Sequence, residues 1–363
     1  MKKLVSLLCM VSMLAITVVG CGSKKDSESG KSNGAEIALV CATGSIDDKS
    51  FNQGAWEGLK QYADENGITY KDYKPSDSSD SAIQNAMELA IAGGAKIVVC
   101  PGYLFSVPLY NVQEKHKDVT FIQLDGTPTD EKDNPVISDN VIAYTYAEEQ
   151  AGFLAGYAAV KDGYRNLGFM GGMAVPSVVR FGYGYVQGAE YAAKELGLKK
   201  DEVKVNYNYT GNFDATPENQ SKAASWYTNG TEVIFACGGS VGNSVMSAAE
   251  ANKGKVIGVD IDQASESDTV ITSAMKNINK TVYDFLGDEY AGTLKKGTSE
   301  VLDATNDSVL LPMSTSKFNT FNQEQYDAIY KELKDGKVTI KTDSDAKTVK
   351  DLTLDLVKVN VIE

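Results

Sequence analysis

Short apolar runs recur along this chain, and between most of them lies a longer stretch whose apolar residues return at helical spacing. Ile37 to Ala42 reads as a buried strand, because the run is too short for a helix. Gln53 to Asn66 reads as a helix with Trp56, Leu59 and Ala63 on one face and Gly67 as its stop. Strands at Thr69 to Tyr73, Lys96 to Pro101 and Val119 to Asp125 follow, with helices over Ser81 to Ala92 and Val107 to Lys117 between them. This repeated strand–helix order predicts a parallel sheet with helices on both faces.

A polar break from Thr127 to Asn134 interrupts the pattern, which then restarts. Val136 to Tyr146 is extended. Glu148 to Val160 is a helix whose Ala151, Gly152, Ala155 and Gly156 allow close packing. Strands at Asn166 to Gly172, Val203 to Tyr209, Val233 to Cys237 and Lys255 to Asp260 alternate with helices over Ser177 to Leu196, from Thr216-Pro217 to Asn229, and over Asn243 to Asn252. A strand at Thr269 to Thr272, a helix from Asn279 to Leu294, a strand at Ser308 to Leu311 and a helix from Gln323 to Lys334 close the series; residues 341–363 carry the weakest pattern. The chain is longer than one ordinary core needs. We expect an α/β fold of two lobes: 36–143 with about 265–305, and 144–264 with about 306–363.

The start of the chain is of another kind. Lys2 and Lys3 precede an apolar run from Leu4 to Val19, closed by Val18-Val19-Gly20-Cys21. That pattern predicts a secretory leader over residues 1–20, too short for a comfortable membrane span. A cysteine directly after the cleavage point resembles a bacterial lipobox, with lipid on Cys21 tethering the protein to the extracytoplasmic face of the cell membrane. Gly22 to Gly34 contains only Gly, Ser, Asn and charged residues, so residues 21–35 are expected to form a flexible tether.

Composition narrows the partners. Lys and Arg number 35 against 49 Asp and Glu, a formal net charge of −14. Such acidity argues against nucleic acid, which needs clustered Lys and Arg. Of five cysteines, Cys9 leaves with the leader and Cys21 takes the lipid. Cys41, Cys100 and Cys237 have no framework spacing and read as small apolar core residues, although Cys41 and Cys100 could pair if their strands are neighbours. His116 is the only histidine. A multi-histidine metal site is excluded, and so is a Ser-His-Asp triad that does not use His116.

Ligands bind at the carboxyl ends of strands in open α/β folds. Those ends offer Asp47, Asp48, Phe51 and Asn52 after the first strand, and Asp125 later in the first half. The second half offers Phe181, Gly238, Gly239, Asp260, Asp262 and Lys276. Two phenylalanines, one from each half, can sandwich a flat ring, at roughly 1–3 kcal/mol per stacked face. Carboxylates accept from hydroxyl and N–H donors, and one can take both hydroxyls of a sugar cis-diol. Core packing for the phenylalanines and a solvated loop for the acids are the plainer alternatives. The glycine spacings of dinucleotide and Walker loops are absent.

Ser45-Ile-Asp-Asp-Lys-Ser-Phe-Asn-Gln-Gly-Ala-Trp-Glu-Gly-Leu59 resembles the opening motif of the basic membrane protein family, bacterial lipoproteins that bind nucleosides for ABC transporters. Glu149-Gln-Ala-Gly-Phe-Leu-Ala-Gly-Tyr157, Arg180-Phe-Gly-Tyr-Gly-Tyr-Val-Gln-Gly188, Cys237-Gly-Gly239, Gly258-Val-Asp-Ile-Asp-Gln263 and Thr272-Ser-Ala-Met-Lys-Asn277 follow in family order. The resemblance covers essentially all of the chain after the leader. It implies a fold like the type I periplasmic binding proteins, with the ligand in the interlobe cleft. It further implies a nucleoside ligand, permease and ATPase partners, no cofactor and no catalysis; a monomer is expected. Phe51 and Phe181 would stack on the base, and Asn52 and Asp125 would read its edge. Asp260, Lys276 and Gly239 would hold the ribose, with Asp48 bracing the loop or touching the sugar. Asp47 beside Asp48, and Asp262 beside Asp260, leave each of those two assignments open. A sugar-binding protein, a sensor or adhesin ectodomain of the same fold and a nucleoside hydrolase are the rival readings.

Overall fold

The structure, a computed structural model, describes residues 34–362. The expected leader, the lipidation site at Cys21 and all but the end of the tether lie outside the described residues. Two sheets organise the rest. In the first, β1 (Ile37–Val40), β2 (Tyr70–Tyr73), β3 (Ile97–Pro101), β4 (Thr120–Leu124), β5 (Val141–Tyr146) and β11 (Thr298–Leu302) lie in the order β11-β5-β4-β3-β1-β2. The second contains β6 (Asn166–Gly171), β7 (Val203–Tyr209), β8 (Val233–Cys237), β9 (Lys255–Asp260), β10 (Val270–Lys276), β12 (Val309–Leu310) and β13 (Val357–Val361), in the order β12-β10-β9-β8-β6-β7-β13. All pairs are parallel except β10 with β12.

The core order β2-β1-β3-β4-β5 in one lobe is repeated as β7-β6-β8-β9-β10 in the other. The two halves are therefore structural repeats, although no repeat is visible in the sequence. Each order reverses direction next to its first strand, between β1 and β3 and between β6 and β8. Such switch points open a crevice at the carboxyl edge, where ligands bind.

Helices cover both faces of the first sheet. Ala38, Val40 and Val98 pack with Ile83, Met87 and Leu109 from α2 (Asp80–Ala92) and α3 (Ser106–Gln113). Ile37, Leu39 and Val99 face the opposite core, which includes Leu59 and Ala63 of α1 (Phe51–Asn66) and Val282 and Phe285 of α8 (Ile278–Ala291). Burial on both faces is why these strands read as continuous apolar runs. In the other lobe α4 (Glu148–Lys161) and α5 (Pro176–Glu195) press backbone to backbone. A Cβ on Gly152 would lie 2.1 Å from Phe181 O, and one on Gly156, 2.0 Å from Tyr185 O. Gly184 and Gly188 meet α4 in the same way, each 2.0 Å from the carbonyls of Glu149 and Phe153. The small residues singled out in the sequence thus set the position of Phe181.

The chain crosses between lobes after β5, after β10 and after β11. At the crossings Ala147 N–H donates to Leu302 O (2.8 Å) and Asn277 N–H to Ser308 O (2.8 Å). One expectation is corrected here. The strand after Thr269, expected with the 265–305 return to the first lobe, pairs as β10 with β9 and belongs to the second sheet. The return begins at α8, which lies against α1: a Cβ on Gly58 would lie 2.2 Å from Asn279 O. The strand also runs on to Lys276, past the apolar run that marked it.

Cys41, Cys100 and Cys237 are buried free thiols. β1 and β3 are neighbours, yet the register Leu39↔Val99 puts Cys41 and Cys100 on opposite faces of the sheet. His116 lies just past α3, with Nε2 2.8 Å from Glu88 Oε2.

Candidate functional site

The carboxyl edges of the two sheets enclose a cleft of about 740 Å³, counted out to its open mouth. Asp48, Phe51, Asn52 and Asp125 line it from the first lobe, and Phe181, Gly239, Asp260 and Lys276 from the second. With Gly238, nine of the eleven residues picked from strand ends thus meet in one cleft; Asp47 and Asp262 do not.

The loop from Gly44 to Asn52 is built around Asp48. Its Oδ1 accepts from the backbone N–H of Ser50 (2.9 Å) and Gln53 (3.1 Å). Its Oδ2 accepts from the backbone N–H of Asn52 (3.1 Å) and from Asn52 Nδ2 (3.0 Å). These are the free donors of the first turn of α1, where Ser50 gives no side-chain cap. Burial pushes the Asp48 carboxyl up, against those hydrogen bonds. The four acceptor positions are occupied, so the structure places Asp48 as the brace that holds Phe51 and Asn52. Asn52 Nδ2 also donates to Thr43 O (3.0 Å), which leaves its Oδ1 turned to other donors. Asp47 is outside the cleft and bonded to Ser45 Oγ.

Asp125 and Asp260 end their strands with left-handed backbones, φ 57° and 68°. That conformation is uncommon outside glycine and tends to persist where a function fixes it. Both carboxylates meet Lys276, 1% exposed at its side chain. Its Nζ lies 2.5 Å from Asp125 Oδ2, 3.3 Å from Glu148 Oε1 and 3.8 Å from Asp260 Oδ1. Burial pulls the lysine pKa down, but the three carboxylates outweigh it and hold the ammonium well above its usual value. Asp260 Oδ2 also accepts from Ser50 Oγ across the cleft, at 2.6 Å. Even so, burial raises Asp260 to about 6. Asp262 faces elsewhere, accepting from Thr315 Oγ1 at 2.6 Å.

The same ammonium sits 4.8 Å from the ring centre of Phe51 and 5.1 Å from that of Phe181. One ring comes from each lobe. Phe181 is buried and edge-on to Phe235, with centroids 5.8 Å apart.

Several further residues belong to the site. Glu148, fully buried, faces Lys276 and also Arg180 (Nη1 3.4 Å), which in turn binds Asp343 (Nε 2.8 Å). Burial raises the Glu148 carboxyl despite both cations. Tyr146 lies under Lys276, 5.3 Å from ring centre to Nζ. Tyr103, Leu104 and Phe213 line the cleft as well. Each follows a strand, so the strand-end rule could have found them; they were passed over because their loops carry no conspicuous charge. Among the described residues, Asp125 Oδ1, Tyr146 Oη and Glu148 Oε1 are buried without a hydrogen-bond partner.

Two lobes of like topology, joined by three crossings, with polar and aromatic groups of both lining one cleft, have the architecture of a two-lobed ligand-binding protein. Comparison with known proteins agrees. Residues 35–344 match the Bmp family, described as ABC transporter substrate-binding protein PnrA-like. The chain belongs to that family. It is 30% identical to the ABC transporter nucleoside-binding protein BmpA of Lactococcus lactis subsp. cremoris, over 94% of this chain and 99% of the relative. It is 29% identical to basic membrane protein A2 of Borrelia garinii subsp. bavariensis, over 77% and 79% respectively. In fold it is similar to an ABC transporter solute-binding protein from Aeropyrum pernix (TM-score 0.72, 20% identity, 86% of this chain and 95% of that one). Proteins of this family are extracytoplasmic, membrane-associated subunits that pass a small ligand to a permease and its ATPase.

Proposed function

We propose that this protein captures purine nucleosides, guanosine and inosine ahead of adenosine, and presents them to an ABC permease while tethered by lipid at Cys21. The observation that carries the reading is the pair of phenylalanine rings, one per lobe, flanking the Lys276 ammonium between Asp125 and Asp260. A planar base fits between two aromatic faces, and a ribose diol fits a carboxylate beside an ammonium. The nucleoside-binding name of the Lactococcus relative supports the same reading.

The hydrogen-bonding groups favour particular bases. Asp125 Oδ2 is engaged by Lys276, and its buried Oδ1 has no partner among the described residues. Asn52 has both amide hydrogens engaged. What faces the ligand is therefore a pair of acceptors. Guanine offers N1–H and an adjacent amino group; hypoxanthine offers N1–H alone. Adenine offers its amino group next to an N1 acceptor, which would confront a carboxylate oxygen. Leaving such a group unpaired in a buried site costs about 1–3 kcal/mol.

Native mass spectrometry of the protein as purified tests the reading, through the mass of any retained ligand. A nucleoside mass supports it; a sugar mass would favour the sugar-binding alternative. Incubation with guanosine should release no guanine, whereas free guanine would point to a hydrolase.

A further inference from the structure

The strand order grades the cleft from one end to the other. Along the second sheet the carboxyl edge runs from Lys276 on β10 and Asp260 on β9 to Gly239 after β8, Gly172 after β6 and the loop 210–216 after β7. Charge is gathered at the hinge end, where Lys276 meets Asp125, Glu148 and Asp260. The far end is apolar, and Phe213 forms it.

Phe213 is half-buried, Gly172 makes room for its ring, and Gly239 lies in ordinary contact with it. A Cβ on Gly172 would lie 2.4 Å from Phe213 Cδ1, and one on Gly239 would lie 3.6 Å from Phe213 Cβ. Its loop is braced. Asn219 Nδ2 donates to Asn212 Oδ1 (3.0 Å) and to Asp214 O (2.9 Å), Asp214 N–H donates to Asn212 Oδ1 (3.0 Å), and Gly211 N–H donates to Gly172 O (3.1 Å). A ring carried on a loop so braced, yet left partly open at a cleft, is a positioned wall. From the other lobe Tyr103, 37% exposed, lines the same cleft.

We propose that Phe213 determines specificity at the sugar's 5′ position, closing the mouth of the cleft together with Tyr103. This rests on the nucleoside reading above. With the 2′,3′-diol held by Asp260 and Lys276, the 5′ carbon, carried on the ring carbon next to the 3′ position, extends in this proposal along the sheet edge toward Gly239 and Phe213. A free 5′-hydroxyl fits there, and a larger neutral substituent meets the phenyl ring. A 5′-phosphate, bulkier than a hydroxyl and charged, meets the same ring in an apolar surrounding.

Titration calorimetry with guanosine, 5′-O-methylguanosine and 5′-O-benzylguanosine, on wild type, Phe213→Ala and Phe213→Leu, tests the proposal. Wild type should lose at least about hundredfold in affinity from guanosine to the benzyl ether. Phe213→Ala should recover at least about tenfold of that loss while guanosine itself weakens by less than about tenfold, with Phe213→Leu between the two. The leucine variant keeps the test open if the alanine variant does not fold. The proposal is overturned if the ratio of guanosine to benzyl ether is the same in wild type and variants, or if wild type takes the benzyl ether as well as guanosine. Failure of the nucleoside reading looks different: wild type would not bind guanosine, and the proposal would fall with it.

Discussion

At the scale of single residues the cleft depends on a few groups held in costly states. Lys276 is a buried ammonium facing three carboxylates, and Asp260 is a buried carboxylate whose pKa is raised to about 6. Raised in the folded protein, Asp260 holds a proton that the unfolded chain gives up near pH 4. Its contribution therefore makes the ligand-free protein more stable as pH falls through 6, levelling off below about 4. Ligand binding runs the other way, because the ribose hydroxyls need the ionised form. Guanosine affinity should fall by about tenfold from pH 7 to pH 5, and Asp260→Asn, already weak, should show a flatter profile. Affinity in the wild type that is level across this range would remove Asp260 from the binding surface. The aromatic pair makes a second prediction. Phe51→Ala should weaken binding at least about tenfold through loss of one stacking face. Phe181→Leu, chosen because Phe181 is also core, should do the same with little change in melting temperature. Unchanged affinity in both would refute the sandwich.

At the scale of elements, helix position is set by the absence of side chains. Gly152 and Gly156 on α4 and Gly184 and Gly188 on α5 let the two backbones touch, and α5 carries Phe181 while α4 begins at Glu148. Gly156→Ala should therefore destabilise the protein by about 1–3 kcal/mol in urea unfolding, although alanine favours a helix by nearly 1 kcal/mol over glycine. A stabilised variant would mean that the helices have room to part. This packing was legible in the sequence as small residues at helical spacing, and the buried strands were legible as apolar runs. β11 was not: Thr298-Ser-Glu-Val-Leu302 is an edge strand with Val301 66% exposed, so it has no apolar run to display. β13 was missed because Val357 to Val361 alternates at the end of a long irregular stretch. The site was legible wherever a charged or aromatic residue followed a strand. Tyr146 and Glu148 close and follow the extended segment that ends at Tyr146, so the same rule reaches them; what local sequence leaves unmarked is that the crossing after β5 turns them toward Lys276.

At the scale of the whole molecule, two lobes of the same topology face each other, and the loop between β1 and α1 reaches from the first to the second, as Asp125 does to Lys276. Ser50 Oγ donates to Asp260, Gln263 Nε2 donates to Lys49 O (2.6 Å), and Lys49 Nζ lies 3.7 Å from Glu266 Oε1. Binding at such a cleft draws groups from both lobes onto one ligand, and closure about a hinge is how proteins of this architecture respond. The account predicts that ligand-stripped protein, titrated calorimetrically at pH 7.5, binds guanosine at least as tightly as inosine, adenosine at least about tenfold more weakly, and free ribose not measurably. Tightest binding of adenosine would contradict the acceptor pair at Asn52 and Asp125, and binding of ribose in preference to every nucleoside would contradict the aromatic clamp itself.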